Sequence, residues 1–532
     1  MKLTFCGGAR TVTGSSFLLD AAGKKILIDC GMFQGGKRLR ERNYGHYPYD
    51  PTEIDYIVLS HSHIDHCGLI PRLIKDGFRG RIFATKATVD LVGIMLPDSG
   101  HIQTMETEWI NRKNTRAGRP LVEPLYTVED AYDSLEYFQG IDYYETKTLT
   151  PDIALKFYDA GHILGSAIIE LQVTENGYRE KLVFSGDLGK SNQPIIRDPD
   201  IVEEADYLIV EGTYGTREHE LEEQKLEFLQ NIIHETVERQ GNIVVPSFAV
   251  GRTQELLYYL SQLMREQKIP NVPIYIDSPL AISATEIFSR HPECFDVEMR
   301  QMLYSGKDPF DFPEVIYTKT ADESRQINRL PGGALIISAS GMAEAGRIKH
   351  HLKHNLWRPE STILFVGYQA EGTLGRKIRD GATKVKLFSE EIMVRARIES
   401  IDGFSAHADR SELLSWVKKF RKKPKQVILV HGEEDVLTEF SATMEKELGV
   451  TTYIPNYLET LELKPAVLEV ATASQALAKA KARELLQDWY DFCHQVTAHL
   501  ESALLDEDDE ERVSELEKEL EMMKSCCLAG HL

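Results

Sequence analysis

Six consecutive residues constrain this chain more than any other stretch, because they place three histidines and one aspartate side by side: His61-Ser62-His63-Ile64-Asp65-His66. The apolar run Ile57-Val58-Leu59 comes directly before them and predicts a buried strand. Residues 68–75 come after them and predict the start of a helix. Since α/β proteins place their chemistry where a strand ends and a helix follows, the segment predicts an α/β domain with a polar site at that junction.

The side chains of this segment indicate metal binding. Neutral imidazole and carboxylate are ligands that suit zinc. The alternation of His61 and His63 lets both side chains point the same way at a strand end, while Asp65 and His66 can face a second position. The segment could therefore hold parts of two metal sites. The alternative is an accidental cluster of surface histidines; a purification tag is disfavoured because the cluster is internal.

Composition bounds the class of protein. A chain of 532 residues predicts two to four domains, and 42% hydrophobic with 27% charged residues is ordinary for a soluble protein. We expect no membrane-spanning segment and no signal peptide, and hence a cytoplasmic protein. The seven cysteines are dispersed without a Cys-x-x-Cys pair, which fits a reducing compartment. Cys67 adjoins His66, but we expect a buried thiol rather than a ligand.

The charge pattern neither identifies nor excludes a nucleic-acid partner. The net charge is −22, whereas nucleic-acid binders usually present a basic face. The charge is uneven, with acidic residues at 506–511 and basic ones at 347–353, 376–379, 395–397 and 418–425. Such runs usually form solvated faces, although several of them together could line a groove.

Further candidate ligands follow other predicted strands. Residues 1–30 predict short antiparallel strands, and Asp29 ends the third. Asp29 can cap a turn, or it can accept a hydrogen bond from a metal-bound histidine. His162 lies between two predicted strands, and Asp187 ends the strand at 182–187. Because a zinc site draws ligands from several elements to one edge, these positions are candidates.

The pattern of predicted strands and helices changes in the second half of the chain. Residues 207–366 alternate strand and helix, which predicts a parallel sheet covered by helices on both faces. The small turn at 338–341 exposes backbone N–H groups that can cradle phosphate. Short strands return from about residue 384, His407 precedes a predicted helix, and His431 ends an apolar strand.

The C-terminal segment is helical in composition over residues 466–524. Leu516, Leu520 and Met523 form one apolar stripe beyond an acidic break. We interpret the segment as two helices that could form a hairpin for self-association as a homodimer. The alternative is a helical tail packed on its own domain.

With these residues in this order, the chain resembles the β-CASP ribonucleases of the metallo-β-lactamase superfamily over about residues 1–455. The likeness is greatest to bacterial and archaeal homologues of the cleavage and polyadenylation specificity factor endonuclease. The positions that match the ordered motifs of the family are Asp29; His61, His63, Asp65 and His66; His162; Asp187; Glu211 in Glu-Gly-Thr-Tyr-Gly; His407 in Ser-Ala-His-Ala-Asp; and His431 in Val-His-Gly-Glu.

The resemblance implies an architecture. An αββα metallo-β-lactamase sandwich would form from residues 1–207 and 389–460. A β-CASP α/β domain at 208–388, with a parallel sheet flanked by helices, would be inserted between them, and a helical extension would follow at 461–532.

The resemblance also implies roles for the candidate residues. One Zn²⁺ would be held by His61, His63 and His162, and a second by Asp65, His66 and His431. Asp187 would bridge them, and Asp29 would orient a ligand. Asp65 also counts among the catalytic residues, together with His407 as general acid and Glu211 as its orienting partner. The residues expected to hold RNA phosphates are Ser338, Ser340, Gly341 and Arg376.

The implied activity is zinc-dependent, internal hydrolysis of single-stranded RNA that leaves 5′-phosphate ends. A 5′-exoribonuclease is an alternative, as is a hydrolase of small thioesters or lactones, which would not need the inserted domain or His407. A DNA-repair nuclease of the same family is disfavoured by His431. A metal-free scaffold subunit is disfavoured because no expected ligand is missing.

Overall fold

The computed structural model describes residues 1–219, 222–367, 369–370, 372–401 and 405–464. The predicted C-terminal helices, and with them the proposed dimerisation hairpin, lie outside the described residues. Among the helices that the structure describes, none is long and apolar enough to cross a membrane.

The first part of the chain forms a sheet that begins antiparallel and continues parallel. Its first six strands, in their order across the sheet, are β1 (Lys2–Phe5), β2 (Phe17–Ala21), β3 (Lys24–Ile28), β4 (Tyr56–Val58), β5 (Arg81–Thr85) and β6 (Phe138–Ile141). Strands β1 to β3 pair antiparallel, as the Gly-containing turns predict, and β3 to β6 pair parallel. The carboxyl ends of β3 and β4 therefore meet at one edge of this sheet.

Helices cover the outer face of this first sheet. The short helix α1 (Lys37–Arg40) has no buried residue. The helices that cover this face are α2 (Ile64–Cys67), α3 (Ile70–Lys75), α4 (Lys86–Arg116) and α5 (Val128–Ser134). Helix α4 runs through Pro97 without a break. Leu91, Leu96 and Pro97 are buried in this part of α4, with Leu96 in the cluster under the first sheet and Leu91 in a cluster shared with the third-sheet part. That packing offsets the cost of a proline inside a helix.

A second sheet packs face to face on the first. Its strands along the chain are β7 (Thr146–Thr150), β8 (Ile153–Asp159), β9 (Ala167–Glu175), β10 (Tyr178–Phe184) and β11 (Tyr207–Glu211). Apolar side chains of both sheets form one buried cluster, for example Phe5 and Phe17 from the first sheet with Phe157 and Phe184 from the second. This contact forms the ββ centre of a sandwich.

The inserted part forms a third, entirely parallel sheet. Its strands are β12 (Ile243–Pro246), β13 (Ile274–Ile276), β14 (Val315–Tyr317), β15 (Leu335–Ser338), β16 (Thr362–Phe365) and β19 (Arg397–Ser400). Strands β17 (Lys384–Leu387) and β18 (Glu390–Met393) form a separate antiparallel hairpin between β16 and β19. Its helices are α6 (Glu222–Glu238), α7 (Arg252–Arg265), α8 (Pro279–Phe288), α9 (Val297–Tyr304), α10 (Ala321–Ile327), α11 (Ile348–Asn355) and α12 (Leu374–Arg379). Apolar clusters on both faces confirm the predicted parallel sheet between helices.

The chain then returns to the sandwich. Helices α13 (Arg410–Lys418) and α14 (Glu434–Leu448) cover the outer face of the second sheet, which gains β20 (Gln426–Val430) beside β11 and β21 (Thr452–Tyr453) at its edge. The last strand, β22 (Thr460–Glu462), pairs with β1 of the first sheet. The described residues thus form an αββα sandwich with an inserted α/β layer structure, which confirms the predicted fold class.

The chain passes from one sheet to another close to the predicted domain limits but not at them. Strand β11 carries the sandwich on to Glu211, past the predicted limit at residue 207. Strand β19 pairs with β16, so the third sheet continues to Ser400, past the predicted limit at residue 388. Sequence rhythm alone did not reveal this pairing, because β19 is separated from β16 by a hairpin and a helix. The domain limits themselves stay predictions.

Candidate metal centre

The candidate site residues lie at one edge of the sandwich, where strands end. Asp29 follows β3 directly, Asp187 lies three residues after β10, Glu211 is the last residue of β11, and His431 follows β20 directly. Both Asp29 and His431 have positive φ, +59° and +47°, a conformation that costs energy for residues other than glycine and that is often found at functional sites. Residues far apart in the chain therefore reach one place.

The segment with the three histidines is fixed by the backbone of neighbouring loops. Ser15 N–H donates to the Asp65 carbonyl at 2.8 Å, and Cys30 N–H donates to the His66 carbonyl at 2.7 Å. A Cβ on Gly31 would lie 1.7 Å from the Asp65 carbonyl oxygen, so only glycine allows these loops to approach each other this closely. The segment is held by the fold before any ligand binds.

The first side-chain cluster consists of His61, His63, His162 and Asp187, whose ligand atoms all lie within 4.8 Å of one another. Nε2 of His61 lies 3.0 Å from Nδ1 of His63, which lies 3.3 Å from Nε2 of His162. Oδ2 of Asp187 lies 3.5 Å from Nε2 of His61 and 3.7 Å from Nε2 of His162. Three imidazole nitrogens and one carboxylate oxygen therefore converge.

The second cluster consists of Asp65, His66 and His431. Nε2 of His431 lies 3.4 Å from Nε2 of His66 and 3.5 Å from Oδ2 of Asp65. The other carboxylate oxygen of Asp187, Oδ1, lies 3.3 Å from Nε2 of His66 and 3.5 Å from Nδ1 of His431. Asp187 thus lies between the clusters and presents one oxygen to each.

Asp29 orients His66 from behind. Its Oδ2 lies 2.8 Å from Nδ1 of His66, and its two oxygens also accept the backbone N–H and the hydroxyl of Ser60 at 2.7 Å and 2.8 Å. Because Nδ1 of His66 donates to Asp29, Nε2 is the nitrogen that faces Asp187 and His431. This arrangement, a carboxylate behind an imidazole, is common around metal-binding histidines.

The chemistry of these donors fits a metal cation. The ring nitrogens of His61, His63 and His162 face one another, and among the described residues the buried Oδ1 of Asp187 has no hydrogen-bond donor. Burial lowers the pKa of His61 and His162 well below the usual value and that of His63 to about 4. These imidazoles are therefore neutral near pH 7, with lone pairs free to bind a metal.

The two acidic residues of the centre also keep the charge that a cation needs. Burial alone would raise the pKa of the Asp187 carboxyl, but the neighbouring histidines, His431 first among them, hold it well below its usual range. Burial would likewise raise the pKa of Asp65, yet the hydrogen bond from His431 and the histidine charges lower it. Both carboxylates are thus ionised at neutral pH.

His407 and Glu211 form a separate pair beside the metal ligands. Nδ1 of His407 lies 3.1 Å and 3.2 Å from the two oxygens of the fully buried Glu211, while its Nε2 lies 4.0 Å from Oδ2 of Asp187. Burial alone lowers the pKa of His407, but the charge and hydrogen bond of Glu211 outweigh it and raise the pKa to about 9. His407 thus carries a proton on Nε2, the nitrogen that faces Asp187.

The backbone around this pair is tied together by Glu211 as well. Leu188 N–H donates to Oε1 of Glu211 at 2.6 Å, and Ala408 N–H donates to the Leu188 carbonyl at 2.7 Å. The loops that carry Asp187 and His407 are therefore held by the same carboxylate. Displacing Glu211 would disturb both.

The structure brings in residues that the sequence did not single out. His219 lies with Nε2 2.8 Å from the His407 carbonyl, to which it can donate, and the Thr213 hydroxyl lies 3.1 Å from Nδ1 of His431. Ser60 contacts Asp29 and, at 3.0 Å, Nδ1 of His61. Thr213 and Ser60 lie close in sequence to the motif residues Glu211 and His61, and this closeness is the signal by which the sequence could have indicated them. Nothing in the sequence connects His219 with His407.

The predicted phosphate-binding residues are placed unequally. Ser338 is buried and its hydroxyl donates to the Asp277 carbonyl at 2.7 Å, so this hydroxyl faces the protein interior. Ser340 is partly exposed and Gly341 follows it in the loop after β15. Arg376 is ion-paired with Asp380 on α12 at 2.7 Å. Phosphate binding by Ser340, Gly341 and Arg376 stays a prediction.

Several other basic residues face carboxylates instead of an open groove. Arg347 pairs with Asp277, Lys353 with Glu390, and Lys425 with Glu180. These contacts match the expectation that basic runs are mostly solvated faces with local partners. Cys67 is buried and donates from Sγ to the Ser62 carbonyl at 3.2 Å, as expected for a structural thiol.

Comparison with protein families identifies three domains along the chain. A metallo-β-lactamase superfamily model matches residues 9–78, and a Beta-Casp domain model matches residues 253–378. A third model, described as a Zn-dependent metallo-hydrolase RNA specificity domain, matches residues 391–455. The matched ranges cover the His61–His66 segment, most of the third sheet, and the part that carries His407 and His431.

Full-length relatives agree with the family models. Ribonuclease TTHA0252 of Thermus thermophilus is 38% identical over 82% of this chain and 94% of its own length. An RNase J-like protein of Methanocaldococcus jannaschii is 34% identical over 85% of this chain and 97% of its own. The transcription termination factor FttA of the same archaeon is 31% identical over 87% of this chain and 72% of its own. The chain therefore belongs to the β-CASP ribonuclease family of the metallo-β-lactamase superfamily, whose members are metal-dependent hydrolases.

Proposed function

We propose that this protein is a zinc-dependent ribonuclease that cleaves single-stranded RNA internally and leaves 5′-phosphate ends. The observation that carries the proposal is the position of Asp187, which presents one oxygen to each of two ligand clusters beside the His407–Glu211 pair. Two adjacent cation sites next to a proton donor suit phosphodiester hydrolysis.

The residues of the first cluster would hold one Zn²⁺, those of the second cluster another, and Asp187 would serve both. When bound, the pair of ions supplies Lewis-acid activation of a water and neutralisation of phosphate charge. The fold prepares the ligands in advance: Asp29 fixes the tautomer of His66, and the loops around Gly31 hold the backbone of Asp65. Such preorganisation lowers the cost of assembling the site around substrate.

His407 is suited to act as the general acid. Its Nδ1 is engaged by Glu211, so Nε2 is the atom that can reach the leaving 3′-oxygen of the cleaved strand. The imidazole has 19% of its side-chain surface exposed, so a substrate can reach it. A positioned general acid typically contributes about 10²- to 10⁴-fold to a rate.

RNA as substrate is supported by the names of two relatives, a ribonuclease and an RNase J-like protein, and by the RNA specificity domain model. A 5′-exoribonuclease is the second candidate. The inserted third sheet and the His407–Glu211 pair disfavour a hydrolase of small thioesters or lactones, which would need neither.

The test is incubation of the purified, zinc-loaded protein with 5′-labelled single-stranded RNA and with DNA of the same sequence. His63→Ala and His407→Ala are compared with His46→Ala, which replaces an exposed histidine outside the site. We expect internal RNA fragments from the wild type and the His46 variant alone. Metal analysis is expected to find two zinc ions per chain.

Other outcomes discriminate between the candidates. Release of mononucleotides from the 5′ end would support the exonuclease. Intact RNA together with hydrolysis of a thioester or lactone would contradict the ribonuclease proposal. Ligation of the downstream fragment without prior kinase treatment tests for the 5′-phosphate end.

A further inference from the structure

An aromatic side chain lies exposed in the loop after β12, where the surrounding residues are buried. Phe248 has 43% of its surface exposed, whereas its neighbours Ser247 and Ala249 have 1% and 7%. Single exposed apolar side chains are common on proteins, so exposure by itself decides nothing. What distinguishes Phe248 is how it is held and what lies on either side of it.

The backbone under this ring is fixed by the sheet and the following helix. Ser247 N–H donates to the Ser338 carbonyl at 3.0 Å, which continues the pairing of β12 with β15. The Phe248 carbonyl accepts the Thr253 hydroxyl at 2.7 Å, from the first turn of α7. The ring is therefore presented on an anchored loop and needs little ordering when a partner binds.

One side of Phe248 lies against the loop after β15, in which Ser340 and Gly341 are predicted to hold an RNA phosphate; this loop is called the phosphate loop below. A Cβ placed on Gly341 would lie 2.9 Å and 3.0 Å from Cδ2 and Cε2 of the phenyl ring, closer than carbon atoms normally approach. The absence of a side chain at Gly341 thus lets the ring pack directly on the loop backbone. A nucleotide whose phosphate contacts Ser340 and Gly341 would have its base beside this ring.

The other side of the same loop approaches the metal centre. A Cβ on Gly251 would lie 3.2 Å from Cγ2 of Ile163, and Ile163 directly follows the candidate ligand His162. Ala249 and Val250 belong to the same buried cluster as Ile163. The loop at 247–251 therefore contacts, through Gly251, the residue next to a candidate ligand and, through Phe248, the loop backbone at Gly341.

We propose that Phe248 is a stacking platform for one nucleobase of the bound RNA strand, between the metal centre and the phosphate loop. This inference rests on the proposed function. Every base has a flat π face, so an aromatic ring contributes affinity without demanding a particular sequence. The contact also suits a chain whose net charge of −22 leaves little general attraction for phosphate.

The experiment combines protein variants with modified RNA. The wild type, Phe248→Ala, Phe248→Leu and Phe248→Trp are assayed with a short single-stranded RNA and with copies that each lack one base. Phe228→Ala, which replaces an exposed phenylalanine on α6, is the matched control. Melting temperatures establish that each variant is folded.

We expect Phe248→Ala and Phe248→Leu to lower kcat/KM by about tenfold, Phe248→Trp to restore it, and Phe228→Ala to leave it unchanged. At one RNA position, removing the base should lower the kcat/KM of the wild type by about tenfold as well. Removing the same base should not lower the kcat/KM of Phe248→Ala any further. A 2-aminopurine placed at that position should lose fluorescence on binding to the wild type and keep it with Phe248→Ala.

Two results would overturn the inference in distinguishable ways. If the wild type cleaves RNA and every missing base affects Phe248→Ala as it affects the wild type, the stacking role is wrong while the ribonuclease stands. Equal activity of Phe248→Leu and wild type would also contradict stacking, because leucine is apolar without a π face. If the wild type does not cleave RNA at all, both proposals fail together.

Discussion

His407 and Glu211 are separated by 196 residues in the sequence, yet Nδ1 of His407 lies 3.1 Å from Oε1 of Glu211. Glu211 ends β11 before the inserted domain, and His407 follows β19 after it. The contact therefore forms only when the chain returns from the third sheet to the sandwich. The proposed proton donor is therefore in place only when both parts of the sandwich have come together.

Replacing Glu211 with glutamine tests what this contact does. Glu211→Gln keeps the shape of the side chain but removes the negative charge that orients His407 and raises its pKa. We therefore expect the rate of RNA cleavage to fall by about 10- to 100-fold. Bis(p-nitrophenyl) phosphate should be hydrolysed nearly as before, because its nitrophenolate leaves without a proton. Initial rates on both substrates measure the difference.

Glu298→Gln, at an exposed position on α9, is the control for the loss of one charge. An equal loss of rate on RNA and on the nitrophenyl ester would contradict the proton-donor role. It would mean that Glu211 acts on the metal ligands instead.

Asp29 should determine how tightly metal is held. Asp29→Asn removes the charged acceptor for His66 Nδ1, and we expect metal affinity to fall by about 10- to 100-fold. Competition with a chelating dye measures this affinity without reference to activity. Asp20→Asn on β2, an exposed aspartate, should leave it unchanged. Unchanged affinity in Asp29→Asn would show that Asp29 only shapes the turn.

A buried carboxylate in the third sheet should make the protein sensitive to acid. Asp277 is fully buried, and burial alone would raise its pKa. Hydrogen bonds instead hold the pKa well below its usual value; the donors, with distances of 2.6–2.7 Å, are His351 Nε2, Ser324 Oγ, Thr318 Oγ1 and Arg347 Nη1. Because the folded-state pKa is below the unfolded value of about 3.9, the carboxylate stabilises the fold above that pH, and this stabilisation is lost as the pH falls through the folded pKa.

Asp277→Asn should therefore lower the free energy of unfolding by about 3 kcal/mol at neutral pH and reduce its loss below pH 4. Chemical unfolding of metal-free protein at several pH values measures both. Asp322→Asn, whose carboxylate pairs with Arg325 on the surface, should change neither. A parallel loss of stability with acid in wild type and Asp277→Asn would refute the assignment.

His291 joins the third-sheet region to α4 of the sandwich. Its Nε2 lies 3.0 Å from Asp90 of α4, and its Nδ1 lies 2.6 Å from Glu293. Arg290 also lies 3.6 Å from Asp90. Burial alone lowers the pKa of His291, but both carboxylates outweigh it and raise the pKa.

A raised folded-state pKa gives stability that is fully present below the unfolded value of about 6.5 and is lost as the pH rises through the folded pKa. We expect Asp90→Asn to weaken this dependence of stability on pH. The measurement is the urea midpoint of unfolding of metal-free protein at several pH values across neutral pH. Asp133→Asn on α5, an exposed aspartate, should retain it. The same pH dependence in both variants would show that the contact does not contribute.

Much of this site was predictable because its signals are local. Three histidines and an aspartate in one segment, and histidines or carboxylates directly after apolar strands, indicated a metal centre before any folding was considered. The pairing of β19 with β16 was not predictable from local pattern, since a neighbour distant in sequence decides it. Ser338 looked like a phosphate ligand, but its hydroxyl faces Asp277.

The sequence by itself determined the chemistry of this protein: which donors exist, and that apolar strands deliver them to loops. Tertiary structure alone decided that Asp187 lies between two clusters, that His219 supports His407, and that Phe248 stands beside Gly341. The physical reason is that donor identity and strand periodicity are properties of short segments. The distance between two side chains on different strands depends on how whole sheets pack, and no short segment contains that information.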